Sequence, residues 1–283
     1  MEKKYKSIFI SDIHLGTTDC KATELIQFLK HNSCEKLYLV GDIMDGWKIQ
    51  QNNLKWKKSH TNVIRQFLKF AKQKTKVIYI AGNHDEFLRP LIGLGISLGE
   101  ISIYNQYDHI GIDGKRYLVT HGDLFDGITR LAPWLSFLGD KSYDVILSLN
   151  TKFNWIRHKF GFGYWSLSKY LKHKVKKAVD FIFQFEINLT DYCKKRGYAG
   201  VICGHIHHAE IKEINGITYM NDGDFVESIS ALVETHHGDW ILIHLEENEW
   251  RPFQVLTHQT GQILIGEHCT RWCEQNGVSV LQY

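Results

Sequence analysis

The sequence predicts an α/β protein in which two β-rich stretches pack as two sheets flanked by helices. Three observations predict it. Short apolar, β-branched runs recur along the chain, amphipathic stretches alternate with them over the first 120 residues, and a second β-rich stretch follows His207. With 283 residues the chain can bury a sizeable core, and its 43% hydrophobic and 23% charged residues are those of an ordinary globular protein.

The first strand run is Ser7 to Ile10. Leu25, Ile26, Phe28 and Leu29 then mark an amphipathic helix, and Leu37 to Val40 is the second run. From Asn53 to Lys74, apolar Val63, Ile64, Phe67, Leu68 and Phe70 alternate with lysines, the pattern of a helix with one solvated face. Val77 to Ala81 is the third run. This βαβ alternation predicts parallel strands whose C-terminal ends share one edge. From Ile101 to Thr120 short strands with glycine-containing turns take over, among them Gly111-Ile112-Asp113-Gly114 and the run Tyr117 to Val119. The run Ala199 to Cys203 leads to Ile211, Ile217 to Met220, and Ile241 to Leu245. Glu249 to Tyr283 resists assignment, although Trp250, Phe253 and Trp272 predict that it packs. The domain reading is residues 1–248 as one domain with a helical insertion at about 124–197, and 249–283 as a C-terminal extension without an assigned role.

The insertion is long, aromatic and basic. Val145, Leu149, Phe153, Ile156 and Phe160 form one helical stripe, Gly161-Phe162-Gly163 breaks it, and a second helix is expected from about Ser166 to Arg196. No acidic residue occurs from Val145 to Val179, while Lys152, Arg157, Lys159, Lys169, Lys172, Lys174, Lys176 and Lys177 interleave with Trp155, Tyr164, Trp165 and Tyr170. Two readings are open: a surface for anionic lipid or a phosphorylated amphiphile, or a helical subdomain with a solvated basic face. The positive charge is local and the net charge only +3, so nucleic acid is not an expected partner. The N-terminal residues lack the features of a signal peptide, and no apolar run approaches the roughly 18 residues that span a bilayer. The six scattered cysteines read as free thiols of a reducing compartment. The expected location is the cytoplasm, with peripheral contact at the inner membrane through 145–179; the oligomeric state is left open.

Five motifs stand at the ends of the strand runs: Asp12-Ile13-His14, Gly41-Asp42-Ile43-Met44-Asp45, Gly82-Asn83-His84-Asp85, His121-Gly122-Asp123 and Gly204-His205-Ile206-His207. Strand ends are the usual place for a site on an α/β sheet. Carboxylates and imidazoles bind divalent metals such as Mn, Fe or Zn. Asp12, His14, Asp42, Asn83, His121, His205 and His207 are the candidate ligands, enough for two ions. Asp45 and Asp123 read as residues that cap or brace their loops.

In that order the motifs resemble the calcineurin-like metallophosphoesterase superfamily over residues 7–245, the insertion excepted. The resemblance implies a four-layer αββα sandwich with a helical cap. It allots one ion to Asp12, His14 and His207 and the other to Asn83, His121 and His205, with Asp42 bridging and a hydroxide between the ions attacking phosphorus in line. It also implies that His84 stabilises the transition state or protonates the leaving oxygen while Asp85 holds its imidazole. Within the superfamily the UDP-2,3-diacylglucosamine diphosphatase-like branch is the nearest resemblance. It rests on the motif spacing, on Gly204-His205-Ile206-His207-His208-Ala209-Glu210 and on the insertion after Asp123. That branch cleaves a pyrophosphate in the lipid A pathway, giving UMP and a lipid phosphate. Its best-known members carry arginine where this chain has His84, and histidine suits a poorer, alkoxide leaving group. A soluble phosphodiesterase or phosphomonoesterase acting on nucleotides or small esters is the alternative. Manganese is the first expected metal, then iron or zinc.

Overall fold

The computed structural model describes residues 4–92, 97–98, 101–125 and 167–278. By its contacts the chain divides into two units, Met1–Phe125 with Leu189–Tyr283, and Asp126–Asn188. The Val145 to Phe160 stripe, its glycine break and the side chains of Lys169 to Lys177 lie outside the described residues. The backbone of the second expected helix is seen at Leu167–Lys195.

In chain order the first unit begins β1 (Tyr5–Ile10), α1 (Ala22–His31), β2 (Cys34–Val40), α2 (Gly46–Gln50), α3 (Lys58–Lys72) and β3 (Lys76–Ile80). Strands β4 (Ser97–Leu98), β5 (Ile101–Tyr104), β6 (Gln106–Ile110) and β7 (Arg116–Thr120) follow. Helix α4 (Leu167–Lys195) returns the chain from the second unit to β8 (Gly200–Cys203), β9 (Glu210–Ile214) and β10 (Ile217–Asn221). The chain then continues through β11 (Ser230–Glu234), β12 (Trp240–Glu246), β13 (Glu249–Leu256), β14 (Ile263–Ile265) and α5 (Glu267–Gln275). Among the described residues the strands form two sheets. One has nine strands in the order β14-β13-β12-β11-β1-β2-β3-β5-β4, the other five in the order β6-β7-β8-β10-β9.

The central strands are apolar throughout because both of their faces are covered. Ile8 and Ile10 belong to one core cluster with Leu25 and Phe28 of α1 and Val63 and Phe67 of α3. Between them Phe9 points the other way, into a second cluster with Tyr117, Val119, Ile202 and Met220 of the smaller sheet. Leu37 and Leu39 against Tyr38 and Val40, and Val77 and Tyr79 against Ile78 and Ile80, repeat the alternation. Layers of helix, large sheet and small sheet follow directly from it.

Strands β1, β2 and β3 run parallel, as do β7 and β8. All five motif loops therefore leave parallel strands at their C-terminal ends, three from β1, β2 and β3 of the large sheet and two from β7 and β8 of the small one. Residues 249–275, unassigned from sequence, complete the large sheet: β13 pairs with β12 and β14, and Trp250, Cys269 and Cys273 enter the helix-side core. All six cysteines are buried free thiols. Among the described residues no helix is long and apolar enough to cross a membrane.

Candidate metal centre

The motif loops are laced together before any side chain is considered. Asp12 N donates to Gly41 O and His14 N to Asp42 O, at 3.0 and 2.9 Å, and Leu15 N reaches Ile43 O at 2.9 Å. Asp45 N returns to Leu15 O at 3.0 Å, and Gly46 N donates to His84 O at 3.0 Å. Asp12, His14, Asp42, His205 and His207, five of the seven candidate ligands, stand at φ between 48° and 70°. Left-handed backbone costs a non-glycine residue about 1–2 kcal/mol. It turns consecutive side chains out of the strand direction and toward a common point.

That point is Asp42. One carboxylate oxygen, Oδ2, has His121 Nε2 at 3.4 Å, His14 Nε2 at 3.9 Å and His84 Nε2 at 3.9 Å. The other, Oδ1, accepts the backbone N–H of His84 at 2.8 Å. Asp12 is fully buried: its Oδ2 accepts from His205 N at 2.8 Å, and its Oδ1 lies 3.1 Å from His207 Nε2 and 3.8 Å from His14 Nε2. Two glycines make room for these carboxylates. A β-carbon on Gly82 would collide with the Asp42 carboxylate, and one on Gly204 with Ser11 and Asp12.

The structure thus gathers Asp12, His14 and His207 into one group within 4.8 Å, and Asp42, His121 and His205 into another. A third group, His14, Asp45 and His84, adjoins the first. His121 Nδ1 lies 2.9 Å from the Val40 carbonyl, which only accepts, so Nδ1 carries a hydrogen and Nε2 is left facing the cluster. His121 Nε2 and Asn83 Oδ1 are buried without a hydrogen-bond partner. Such atoms cost about 1–3 kcal/mol when left unmet. A cation beside them removes that cost, so the residues present fit divalent ions.

Charge balance in the cluster points the same way. Burial by itself would raise the Asp12 carboxyl, but His207 and His121 outweigh it and hold it well below the usual range. Burial would lower His14, yet its contacts with Asp12 and Asp45 and the charge of Asp42 lift it from 6.5 to about 10. His121 is raised well above its ordinary value against the same burial, chiefly by Asp42 and Asp12. Without metal both imidazoles therefore hold protons at neutral pH. A folded-state value above the unfolded one is stabilising below 6.5 and loses that contribution as pH rises through about 10. Metal takes the lone pairs, so its binding expels these protons. Titrating Mn into metal-free protein at pH 7 in two buffers of different ionisation enthalpy is expected to show net proton release, with affinity falling as pH falls. Equal heats in both buffers would contradict this account.

His84 and Asp85 part company. Asp85 was expected to hold the His84 ring; instead its carboxylate accepts from Ile43 N at 3.0 Å and Met44 N at 2.9 Å, bracing the Asp42 loop. Neighbours in a tight turn point apart, and Asp85 turns inward: burial and the charge of Asp42 push it up to about 6. The carboxylate beside His84 belongs to Asp45, whose Oδ1 is 3.3 Å from Nδ1, although not aligned as a hydrogen bond. Asp45 also caps α2, as its loop position predicts, by accepting Lys48 N at 2.9 Å. The Trp47 ring also lies against His84, 3.9 Å between centroids and tilted by 33°. Neither Asp45 nor Trp47 stood among the candidate site residues; the signal was their place in the Asp42 loop. Asp123 braces its loop through Arg89 at 2.6 Å.

With this geometry in hand, the comparisons with known proteins are specific. The family model for calcineurin-like phosphoesterases matches residues 5–209. The chain belongs to the calcineurin-like phosphoesterase family. It is accordingly a metal-dependent hydrolase with two sheets and flanking helices, and its histidine–carboxylate groups are candidate sites for the divalent ions. A UDP-2,3-diacylglucosamine hydrolase of Histophilus somni (strain 129Pt) is 31% identical over 125 residues, 42% of this chain and 49% of that one. The chain thus spans about half the length of the curated relatives it matches. Among solved structures, Yfce, a phosphoesterase from E. coli, is 15% identical and covers 93% of this chain and 98% of its own at a TM-score of 0.39. Wild-type Vps29 from Entamoeba histolytica, complexed with zinc, is 12% identical and covers 92% and 98% at a TM-score of 0.41.

Proposed function

We propose that this phosphoesterase cleaves the pyrophosphate of a nucleotide-linked lipid, as a UDP-2,3-diacylglucosamine hydrolase does. The reading of the site is carried by one observation: a single oxygen of Asp42, which belongs to one group of candidate ligands, faces three imidazole nitrogens within 3.9 Å, that of His14 from the other group among them. The substrate class is supported by the name of the relatives over the matched half. In this reading Asp12, His14 and His207 hold one ion, Asn83, His121 and His205 the other, and Asp42 serves both. Manganese is the first choice, with iron or zinc served by the same donors. Bound ions supply Lewis-acid withdrawal of charge from the phosphoryl oxygens and make water acidic enough to attack near neutral pH.

The chain's own residues do the rest. His84 presents Nε2 to the cluster, where it can give a proton to the leaving oxygen, while Asp45 and Trp47 lie against the ring. Asp85 keeps the Asp42 loop in register. A lipid substrate is met at a membrane surface; the chain acts in the cytoplasm, with the basic, aromatic stretch 145–179 as contact for anionic lipid.

Hydrolysis of UDP-2,3-diacylglucosamine in detergent, with Mn supplied, is to be compared with that of bis-(p-nitrophenyl) phosphate. Faster release of UMP is expected. A model diester that turns over faster would instead move the substrate to small esters, the case that a proton donor at His84 favours over the arginine of other members.

A further inference from the structure

Beside the His14–His84 edge of the site lies a carbon-rich shelf that the metal chemistry does not use. Ile49, Leu54, Trp56 and Phe87 are 44, 39, 40 and 40% exposed. Single exposed apolar residues need no explanation, but Ile49 stands on α2 two residues after Trp47, Leu54 and Trp56 on the loop that follows α2, and Phe87 two residues after Asp85. Their position is fixed by contacts. Leu54 and Trp56 lie over Gly16, two residues beyond His14: a β-carbon there would run into Leu54 and come within 3.9 Å of Trp56. Phe87 lies in the same way over Gly46, next to Asp45 and Trp47.

The loop between α2 and α3 is tied down rather than loosely exposed. Lys55 N donates to Gly16 O at 2.7 Å and Asn53 N to Lys48 O at 2.9 Å. Buried His60 accepts Gly16 N at 3.2 Å and meets the edge of the Trp56 ring at 5.4 Å between centroids. Trp56 Nε1 donates to Thr61 Oγ1 at 2.9 Å, so the indole's polar group is engaged and its exposed part is hydrocarbon. Ile49, Leu54 and Phe87 carry no polar side-chain atom at all. Half-buried Lys48 and exposed Lys55 and Lys57 interleave with them, so carbon surface and positive charge alternate beside a phosphoryl site.

We propose that Leu54 and Trp56, with Ile49 and Phe87, are specificity-determining residues that seat the hydrocarbon chain of the substrate, so that the enzyme selects phosphoesters by chain length. The proposal rests on the reading of the Asp42 cluster as the phosphoryl site, from which an esterified chain leaves over this rim.

The test is binding of a homologous series, methyl to octyl phosphate, each below its micelle concentration, to the full-length Mn-loaded chain by calorimetry. Affinity is expected to rise about two- to threefold per methylene up to about hexyl, less than the roughly fourfold of complete burial because the shelf is open on one side. In a Leu54→Ser/Trp56→Ser variant the series should become nearly flat. Leu54→Met/Trp56→Phe should restore most of the slope, which separates lost carbon surface from a damaged fold. A flat wild-type series overturns the proposal, as do absent binding and a serine variant with the full slope. Hydrolysis of UDP-2,3-diacylglucosamine is scored apart. Chain-dependent binding without that hydrolysis would keep the shelf and remove the proposed function. Hydrolysis beside a flat alkyl phosphate series would do the reverse.

Discussion

Asp42→Ala is expected to abolish turnover and to strip the protein of both ions. In the proposed reading each ion position depends on the same carboxylate, one of whose oxygens faces His14, His84 and His121 within 3.9 Å. The other oxygen holds His84 N at 2.8 Å, so the change also loosens the loop that carries His84. Elemental analysis of protein purified with Mn should fall from about two ions per chain to well under one, and phosphodiester hydrolysis to background. Because Asp42 is buried and its charge helps to raise His14 and His121, the metal-free variant is expected to melt below the wild type. Asp42→Asn keeps the shape and should behave the same way. Full metal content with normal turnover would end the shared-ligand reading.

His84→Ala is the second large effect, and of a different kind. Turnover should fall about a hundredfold while metal content stays at the wild-type level, because His84 is placed to act on the leaving group rather than to complete either ligand group. The loss should be steeper for alkyl esters than for p-nitrophenyl esters, whose leaving group departs without a proton. A loss of equal size across leaving groups would make His84 an electrostatic or structural residue. Asp45→Asn should reproduce part of the leaving-group dependence, since Asp45 Oδ1 is the carboxylate 3.3 Å from the ring.

Much of this site was legible because parallel strands write themselves plainly. Ile8, Phe9 and Ile10 are apolar in succession since one sheet face meets helices and the other meets the second sheet, so strand ends, and the loops beyond them, could be placed from sequence. The candidate ligands then followed from residue type, and their division between two ions from the family resemblance. What failed was side-chain direction inside those loops. Asp85 is adjacent to His84 in sequence yet serves Ile43 and Met44, while the distant Asp45 reaches the ring because β2 and β3 lie side by side. Sequence distance says nothing about that pairing. The C-terminal stretch hid for another reason: β13 carries Pro252 at the point where its register with β12 shifts, and a proline inside a run obscures a strand. Its partners, β12 and β14, are antiparallel neighbours that give no βαβ signature.

The left-handed backbone at Asp12, His14, Asp42, His205 and His207 has a bearing on how this protein responds to selection. Each of these positions would be more relaxed as glycine, by a margin of about a kilocalorie per mole. Glycine there would relieve that cost yet delete the side chain's buried contacts and loosen the unfolded chain, so backbone relief and the gathering of the ions cannot be separated at these residues. Screens that retain turnover as a criterion will find their stabilising changes elsewhere in the chain.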